Sequence, residues 1–266
     1  MKRIFILIVV AAVFAACSSP EKKAEVLLTE ARSAVAESRY DDARALVDSL
    51  RSAYPTAVEA RREALKLENE FELADAKKCL EQTSEKLVSE TERLDSMKTY
   101  FILEKDSKYQ AVGYFVNPEQ IGSKMHKTAL RAQVNEEGQM VLVSIVHGKK
   151  LGHKRIRVSL PTGEMAETPR CFSFLTHTVV GYEEEASFKL GDDGGVVEFI
   201  SNNSGTMTVT CIGDSGEYAF QLSPSDKFAV RHCYMLAKRF ESVKALAQEK
   251  EKLSLKVRFY EKKMTL

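Results

Sequence analysis

The apolar residues of this chain are spaced in different ways along its length. Residues 4–16 form one unbroken apolar run, residues 101–222 alternate between apolar and polar, and residues 20–98 and 223–266 repeat apolar positions three or four apart. Alternation places apolar side chains on one face of a β-strand, whereas a spacing of three or four places them on one face of an α-helix. The pattern therefore predicts an α+β fold, a long antiparallel helical stalk with an inserted all-β antiparallel sandwich or small barrel.

Residues 17–56 contain the start of the mature chain and a predicted helical hairpin. Two helical faces are separated at Ser38-Arg39-Tyr40 and end at Pro55: Leu27, Leu28, Ala31, Ala34 and Val35, then Ala43, Leu46, Val47 and Leu50. With Ala31, Tyr40, Ala43, Leu50 and Pro55 in these places, the segment resembles one tetratricopeptide repeat. The pattern does not continue one repeat length later, and such arrays need about three repeats. A generic helix pair therefore remains an alternative.

Residues 57–100 and 223–266 predict two long helices, since Pro224 at a helix start is their only Gly or Pro. In the first helix leucine recurs every seven residues, at Leu73, Leu80, Leu87 and Leu94. We expect the two helices to pair antiparallel within one chain, with Phe240 facing the leucine helix. The companion heptad positions are mixed, which disfavours a parallel dimer. Oligomerisation through the helices remains open.

Residues 101–222 predict an antiparallel β domain. Alternating runs separated by turns occupy 130–134, 140–146, 155–160, 172–179, 182–190, 195–201, 206–212 and 217–222. A sandwich and a small barrel both fit this spacing. We expect a packed core with these bulky side chains pointing inward: Phe172, Phe174, Phe188, Met207, Tyr218 and Phe220.

The N-terminal run is too short to cross a bilayer, since a spanning helix needs about 20 residues. It follows Lys2 and Arg3 and ends in Phe14-Ala15-Ala16-Cys17-Ser18-Ser19, which resembles the lipobox of bacterial lipoproteins. The resemblance implies that residues 1–16 are a signal peptide, that the chain is cut before Cys17 and that lipid is attached to this cysteine. It further implies a lipid-anchored protein of the cell envelope, expected at the periplasmic or surface face of the outer membrane.

The charge balance argues against a nucleic-acid partner. Without Lys2 and Arg3 the 39 basic residues fall to 37, against 38 acidic residues, so the mature chain has no general attraction for polyanions. Tryptophan is absent, which disfavours a carbohydrate-binding module.

The cysteines and histidines show no metal-site spacing, and we predict neither a metal nor another cofactor. The envelope permits disulfides, and the four cysteines of the β and helical parts allow three pairings: Cys79, Cys171, Cys211 and Cys233. We expect free, packed thiols, with Cys171–Cys211 as the first candidate if a bridge forms.

One short segment is strongly basic. Between His147 and Arg157 lie five cations, Lys149, Lys150, Lys154, Arg155 and Arg157. They are our candidate partner surface, for an anionic envelope component or another envelope protein. The alternative is a solvated hairpin tip at Gly148–Gly152 whose charges protect a strand edge.

Candidate catalytic groups are few. Of three consecutive glutamates, Glu183 and Glu185 are expected to be exposed and Glu184 to point inward. A dyad of Cys171 and His177 is conceivable, and Asp192-Asp193 is expected in a hairpin turn. No common catalytic motif is present, so we do not expect an enzyme.

Together these observations favour a lipid-anchored envelope protein that acts as a structural or interaction module. Its helical stalk would present the β domain to a partner. The alternatives are a carrier with an apolar ligand inside a β-barrel and, third, an envelope hydrolase.

Overall fold

The computed structural model describes residues 19–121, 127–178 and 181–265. Cys17 and the predicted signal peptide, residues 1–16, lie outside the described residues. The chain forms two compact units, one of residues up to 85 together with those from 247 onward, and one of residues 86–246. Within the described ranges, none of the helices combines the length and the apolar character needed to cross a membrane.

The first unit begins with the expected helical hairpin. Helix α1 spans Pro20–Ala36 and α2 spans Tyr40–Ala53, and the turn between them includes Ser38 at a φ of 58°. The hairpin and the start of the next helix, which begins at Val58, share one core. Its members are mostly alanine, which lets the helices approach closely: Ala24, Leu28, Ala31, Ala34, Ala43, Val47, Leu50, Ala57, Ala60, Ala64, Leu67 and Phe71.

Two long helices flank the β elements in sequence. Helix α3 spans Val58–Lys98 and α5 spans Pro224–Met264, each of 41 residues. On α3, Glu72 accepts an ion pair from Lys256 at 2.7 Å, and Glu90 accepts one from Arg239 at 2.6 Å. The first pair lies in the first unit and the second pair in the second unit, so α3 contacts α5 in both. The α+β fold with two long helices that the sequence predicts is confirmed.

Phe240 faces α3 but is not fully buried. The ammonium group of Lys98 lies 5.0 Å from the centre of its ring, and the ring of Phe115 lies 6.1 Å away. Of the heptad leucines, Leu94 is buried, whereas the earlier three are half-buried. The heptad leucines therefore form an incompletely buried helix face.

The second unit contains two antiparallel sheets, which makes it a sandwich and not a closed barrel. The strands are β1 Ile102–Glu104, β2 Tyr114–Val116, β3 Ala129–Asn135, β4 Met140–His147, β5 His153–Ser159, β6 Met165–Glu167, β7 Ser173–Thr178, β8 Gly181–Lys189, β9 Thr208–Gly213 and β10 Gly216–Gln221. One sheet has the order β1-β2-β3-β4-β8-β7, and the other has the order β10-β9-β5-β6. A short 3-10 helix, Pro118–Gln120, precedes β3.

The core of this unit joins both sheets with α5. Its buried side chains alternate along the strands, as expected, and include Leu142, Ile156, Val158, Ala186, Phe188, Met207 and Val209. Cys233 and Leu236 add the α5 contribution, and the Cys233 thiol donates to the carbonyl oxygen of Ala132 at 3.3 Å. Tyr218 and Phe220 pack against this core from partly buried positions.

One predicted strand is a helix. Residues 195–201 were expected to be extended, but Val196–Asn202 forms α4. Gly194 and Gly195 have φ of 62° and 80°, and the Asp193 carboxylate accepts the backbone N–H of Val197 at 2.7 Å. This left-handed turn with an acidic cap starts a helix, and the apolar run buries Val196, Val197 and Ile200 on one helical face. The run is too short for alternation and helical spacing to be told apart.

Helix α5 starts where the sequence predicts. The Ser223 hydroxyl accepts the backbone N–H of Asp226 at 3.1 Å and donates to its carboxylate at 2.6 Å. Pro224 occupies the first helical position, where its missing N–H costs nothing.

Candidate interaction surfaces

The basic segment is a connection between the two sheets and not a hairpin. Strand β4 pairs with β3 and β8 in one sheet, whereas β5 pairs with β6 and β9 in the other. Residues 148–152 cross from sheet to sheet, so the expected hairpin tip at Gly148–Gly152 was wrong. Alternation on both sides of a glycine-flanked turn fits a hairpin and a crossover equally well.

Glu184 fastens this crossover from β8. Its carboxylate accepts the backbone N–H of Leu151 at 2.9 Å, of Gly152 at 3.0 Å, and of His153. The Nδ1 atom of the His153 ring lies 2.6 Å from the same carboxylate. Glu184 is 2% exposed and His153 is fully buried.

Four hydrogen bonds outweigh the burial of this carboxylate. Burial alone raises the pKa of Glu184, but the bonds from the backbone and the ring of His153, with those from Gly152 and Leu151, hold its pKa below the usual value. The inward orientation of Glu184 was expected. Its contacts suit a structural anion, since the four hydrogen-bond donors named above all lie in the segment that it holds.

Three of the five cations of the segment have carboxylate partners. Lys154 pairs with Asp214, and Arg155 and Arg157 share Glu167, with 2.8 Å for Arg157. The cation of Lys154 lowers the pKa of Asp214. These half-exposed pairs add little stability, but they cancel charge that a partner would otherwise meet.

The two remaining lysines stand over aromatic rings. The Lys149 ammonium lies 4.5 Å from the ring centre of Tyr218, and that of Lys150 lies 3.8 Å from the ring centre of Tyr182. Both lysines are exposed. That these residues form a partner surface stays a prediction. Of the five cations of the segment, two now remain to attract an anionic partner.

Strand β7 exposes aromatic residues that were expected to be buried. Phe172 is 88% exposed, Phe174 is 71% exposed and Leu175 is 44% exposed, so the inward assignment of the two phenylalanines was wrong. Strand β7 is the last strand of its sheet and pairs with β8. Alternation identifies two faces of a strand but not whether anything covers them, and an edge strand can be uncovered on both.

The other two glutamates lie beside β7. Glu185 is opposite Phe174 and Glu183 is opposite Thr176. Both are half-buried and not exposed as expected. Burial and the neighbouring carboxylate of Glu183 raise the pKa of Glu185.

All four cysteines described here are free thiols, and the Cys171–Cys211 bridge does not form. Burial raises the pKa of Cys211 to about 11 and that of Cys233 to about 12. Burial likewise raises the pKa of Cys171, which disfavours the nucleophilic thiolate that a dyad with His177 would need. The His177 ring instead packs edge-on against Tyr182, with 4.7 Å between ring centres.

The described part of the chain has no group of three His, Cys, Asp or Glu side chains placed to hold a metal ion. Asp193, expected in a hairpin turn, caps α4 as described above and also accepts the N–H of Gly191 at 3.2 Å.

No protein-family model, no curated protein and no solved structure matches this chain.

Proposed function

We propose that this protein is a lipid-anchored envelope protein that acts as an interaction module, held in the membrane through Cys17. The observation that carries the proposal is the exposed, uncharged edge strand β7. Its partner would be another envelope protein that supplies an extended segment.

The physics of edge strands supports this role. An edge strand presents unpaired N–H and C=O groups, and soluble proteins usually protect it with charged residues, proline or a covering loop. From Cys171 to Thr178 this strand has no Asp, Glu, Lys, Arg or Pro, and Phe172 and Phe174 project into solvent. Main-chain pairing supplies affinity in strand addition, and side-chain contacts supply selectivity.

The side chains between the sheets favour this proposal over the apolar-ligand carrier. Leu142, Phe188 and Met207 are each at most 3% exposed and belong to one contact cluster. Bulky residues that pack on one another in this way fill a sandwich interior. Binding at a surface then requires no opening of the core.

A comparison of co-purified proteins tests the proposal. The tagged full-length protein is solubilised from the native host in mild detergent, as wild type, as Phe172→Ser/Phe174→Ser, and as the control Phe259→Ser. Phe259 is 54% exposed but lies on α5 in the other unit. We expect a partner that is retained by the wild type and the control and lost by the double variant.

Identical co-purified proteins for all three forms would refute the role of β7. Circular dichroism of each form shows whether the fold survives, and the substitutions of exposed residues should leave it unchanged.

A further inference from the structure

A second cluster of cations, absent from any basic run in the sequence, lies on the N-terminal part of α5. Lys227 and Arg231 are four residues apart on this helix, and His232 is next to Arg231. All three lie beside two exposed apolar side chains, Phe228 and Met235. Phe228 is 47% exposed and Met235 is 54% exposed. With Ser204 and Pro224 these residues line an open groove of about 470 Å³.

No acidic side chain neutralises this cluster. Neither Lys227 nor Arg231 forms an ion pair with any Asp or Glu of the described residues, and the remainder of the chain contains no Asp or Glu at all. Among the residues that the structure describes, Lys227 donates to a carbonyl oxygen, that of Gly205 at 2.8 Å. In residues 149–157, by contrast, three of the five cations have carboxylate partners.

The charges of Lys227 and Arg231 repel one another, and the His232 ring is neutral at about pH 7 because its pKa is lowered from the usual value. Burial lowers the pKa of both Lys227 and His232, and the positive charge of Arg231 lowers them further. The His232 ring lies against Phe228, with 3.8 Å between ring centres, so the cationic and apolar parts of the groove are one continuous surface. An anion placed there would relieve the repulsion.

We propose that this groove binds a partner segment in which an acidic side chain is flanked by apolar side chains. Arg231 would hold the carboxylate, because the guanidinium group donates two parallel hydrogen bonds to a carboxylate. Phe228 and Met235 stand seven residues apart on the helix, about 10.5 Å along its axis, one on each side of Arg231. A bare anion would leave both of them in water, whereas apolar neighbours of the acid would cover them, and methionine adapts to differently shaped partners.

The inference rests on the proposed function and names a partner chemistry and a surface for it. It is separate from β7: Phe172→Ser/Phe174→Ser should leave binding at the groove intact, and a groove variant should leave binding at β7 intact.

Fluorescence anisotropy with the full-length protein in detergent provides the test. The probes are short labelled peptides in which one Glu is flanked by Leu, Phe or Met, with matched peptides that carry Gln for Glu or Ser for the apolar residues. We expect at least one Glu-apolar peptide to bind. The Gln peptide should bind about tenfold more weakly, the loss typical of one charge-assisted hydrogen bond, and the Ser peptide should also bind more weakly because Phe228 and Met235 would stay in water. Arg231→Gln should lose a similar factor, whereas Arg258→Gln, an exposed position further along α5, should not.

Three results would overturn the inference. The first is that no Glu-apolar peptide binds, or that Arg231→Gln binds them as tightly as the wild type does. The second is competition by inorganic phosphate as effective as that of the peptide, which would indicate a simple anion site. The third is an Arg231-dependent association of another kind without peptide binding. Flotation with anionic phospholipid vesicles would assign the groove to a membrane, and dimerisation would assign it to a second copy of the chain.

Discussion

The buried carboxylate of Glu184 offers the sharpest test of how the basic segment is held. In Glu184→Gln the side chain keeps its size, but it loses its charge and one of its two acceptor atoms. Leu151 and Gly152 donate their backbone N–H groups to one carboxylate oxygen and His153 to the other, so in either orientation the amide NH2 would face at least one backbone N–H donor. Two donors that face each other cannot form a hydrogen bond.

The expected cost is large. Hydrogen bonds to charged groups contribute about 1.5–3 kcal/mol each, and removal of one partner from a buried charged pair costs about 3–5 kcal/mol. Since the bonds are not independent, we expect the free energy of unfolding to fall by about 3–5 kcal/mol, a substantial part of the 5–15 kcal/mol of a typical domain.

The effect should depend on pH with a defined sign. The pKa of Glu184 is lower in the folded protein than in the unfolded chain. Its contribution is therefore fully present above the unfolded pKa of about 4.3, and it is lost as the pH falls through the folded pKa. The difference between wild type and Glu184→Gln should shrink as the pH is lowered from about 4.3.

Urea denaturation followed by circular dichroism measures the loss, and hydrogen exchange of peptides that cover residues 148–154 locates it. Glu185→Gln is the matched control on the same strand. The pKa of Glu185 is raised in the fold, so neutralisation of this carboxylate should leave stability unchanged or slightly increased. A loss below about 1 kcal/mol for Glu184→Gln, the value of an ordinary neutral hydrogen bond, or equal losses for the two variants, would refute the reasoning.

Three further predictions concern other parts of the chain. Cys17→Ala should move the protein out of the membrane fraction or leave its signal uncleaved, which fractionation and acyl labelling in the native host would measure. Lys149→Glu/Lys150→Glu should weaken a salt-sensitive interaction with envelope components without unfolding the protein, as co-purification at several salt concentrations would show. Gly138→Ala should lower the free energy of unfolding by about 1–3 kcal/mol, because its φ is 86° and an added Cβ would lie 2.7 Å from Cγ of Phe240.

The glycine and lysine variants each have a control in the same chain. Gly148→Ala introduces a side chain at a φ of 75° with no atom within 4 Å, so the backbone strain is similar and the clash is absent. Lys244→Glu/Lys250→Glu places the same charge reversal on α5. If Gly138→Ala and Gly148→Ala lower the free energy of unfolding equally, the contact of the added Cβ with Phe240 has no effect on stability. Acyl label on a chain without Cys17 would contradict the anchor assignment.

The spacing of apolar residues was sufficient to predict most of the helices and strands, but not which surfaces are exposed. Helical spacing predicted α1, α2, α3 and α5, and alternation predicted most of the strands, because both patterns follow from burial of one face. The strand predicted at residues 195–201 was wrong because four apolar residues in a short run satisfy both spacings. The hairpin predicted after β4 was wrong because strand pairing is decided by contacts distant in sequence.

The candidate sites show the same limit. The inward orientation of Glu184 followed from alternation, but its partners at 151–153 did not, because they are backbone groups brought close by the crossover. Phe172 and Phe174 were assigned to the core because hydrophobicity reports burial on average and not at one edge. The basic residues Lys227, Arg231 and His232 were overlooked because they come together only on a helix. The signal available in the sequence was their spacing, four residues between the first two and one between the last two.

Site-specific photocrosslinking in living cells of the native host tests the central claim most directly. A photoreactive phenylalanine replaces Phe174 on the exposed edge strand or, as the control, Phe259. We expect a discrete crosslinked envelope protein at position 174. It should be absent at position 259 and lost when the Cys17→Ala form is released from the membrane. Crosslinks at position 174 that are absent, or the same as those at position 259, would contradict a docking role for β7.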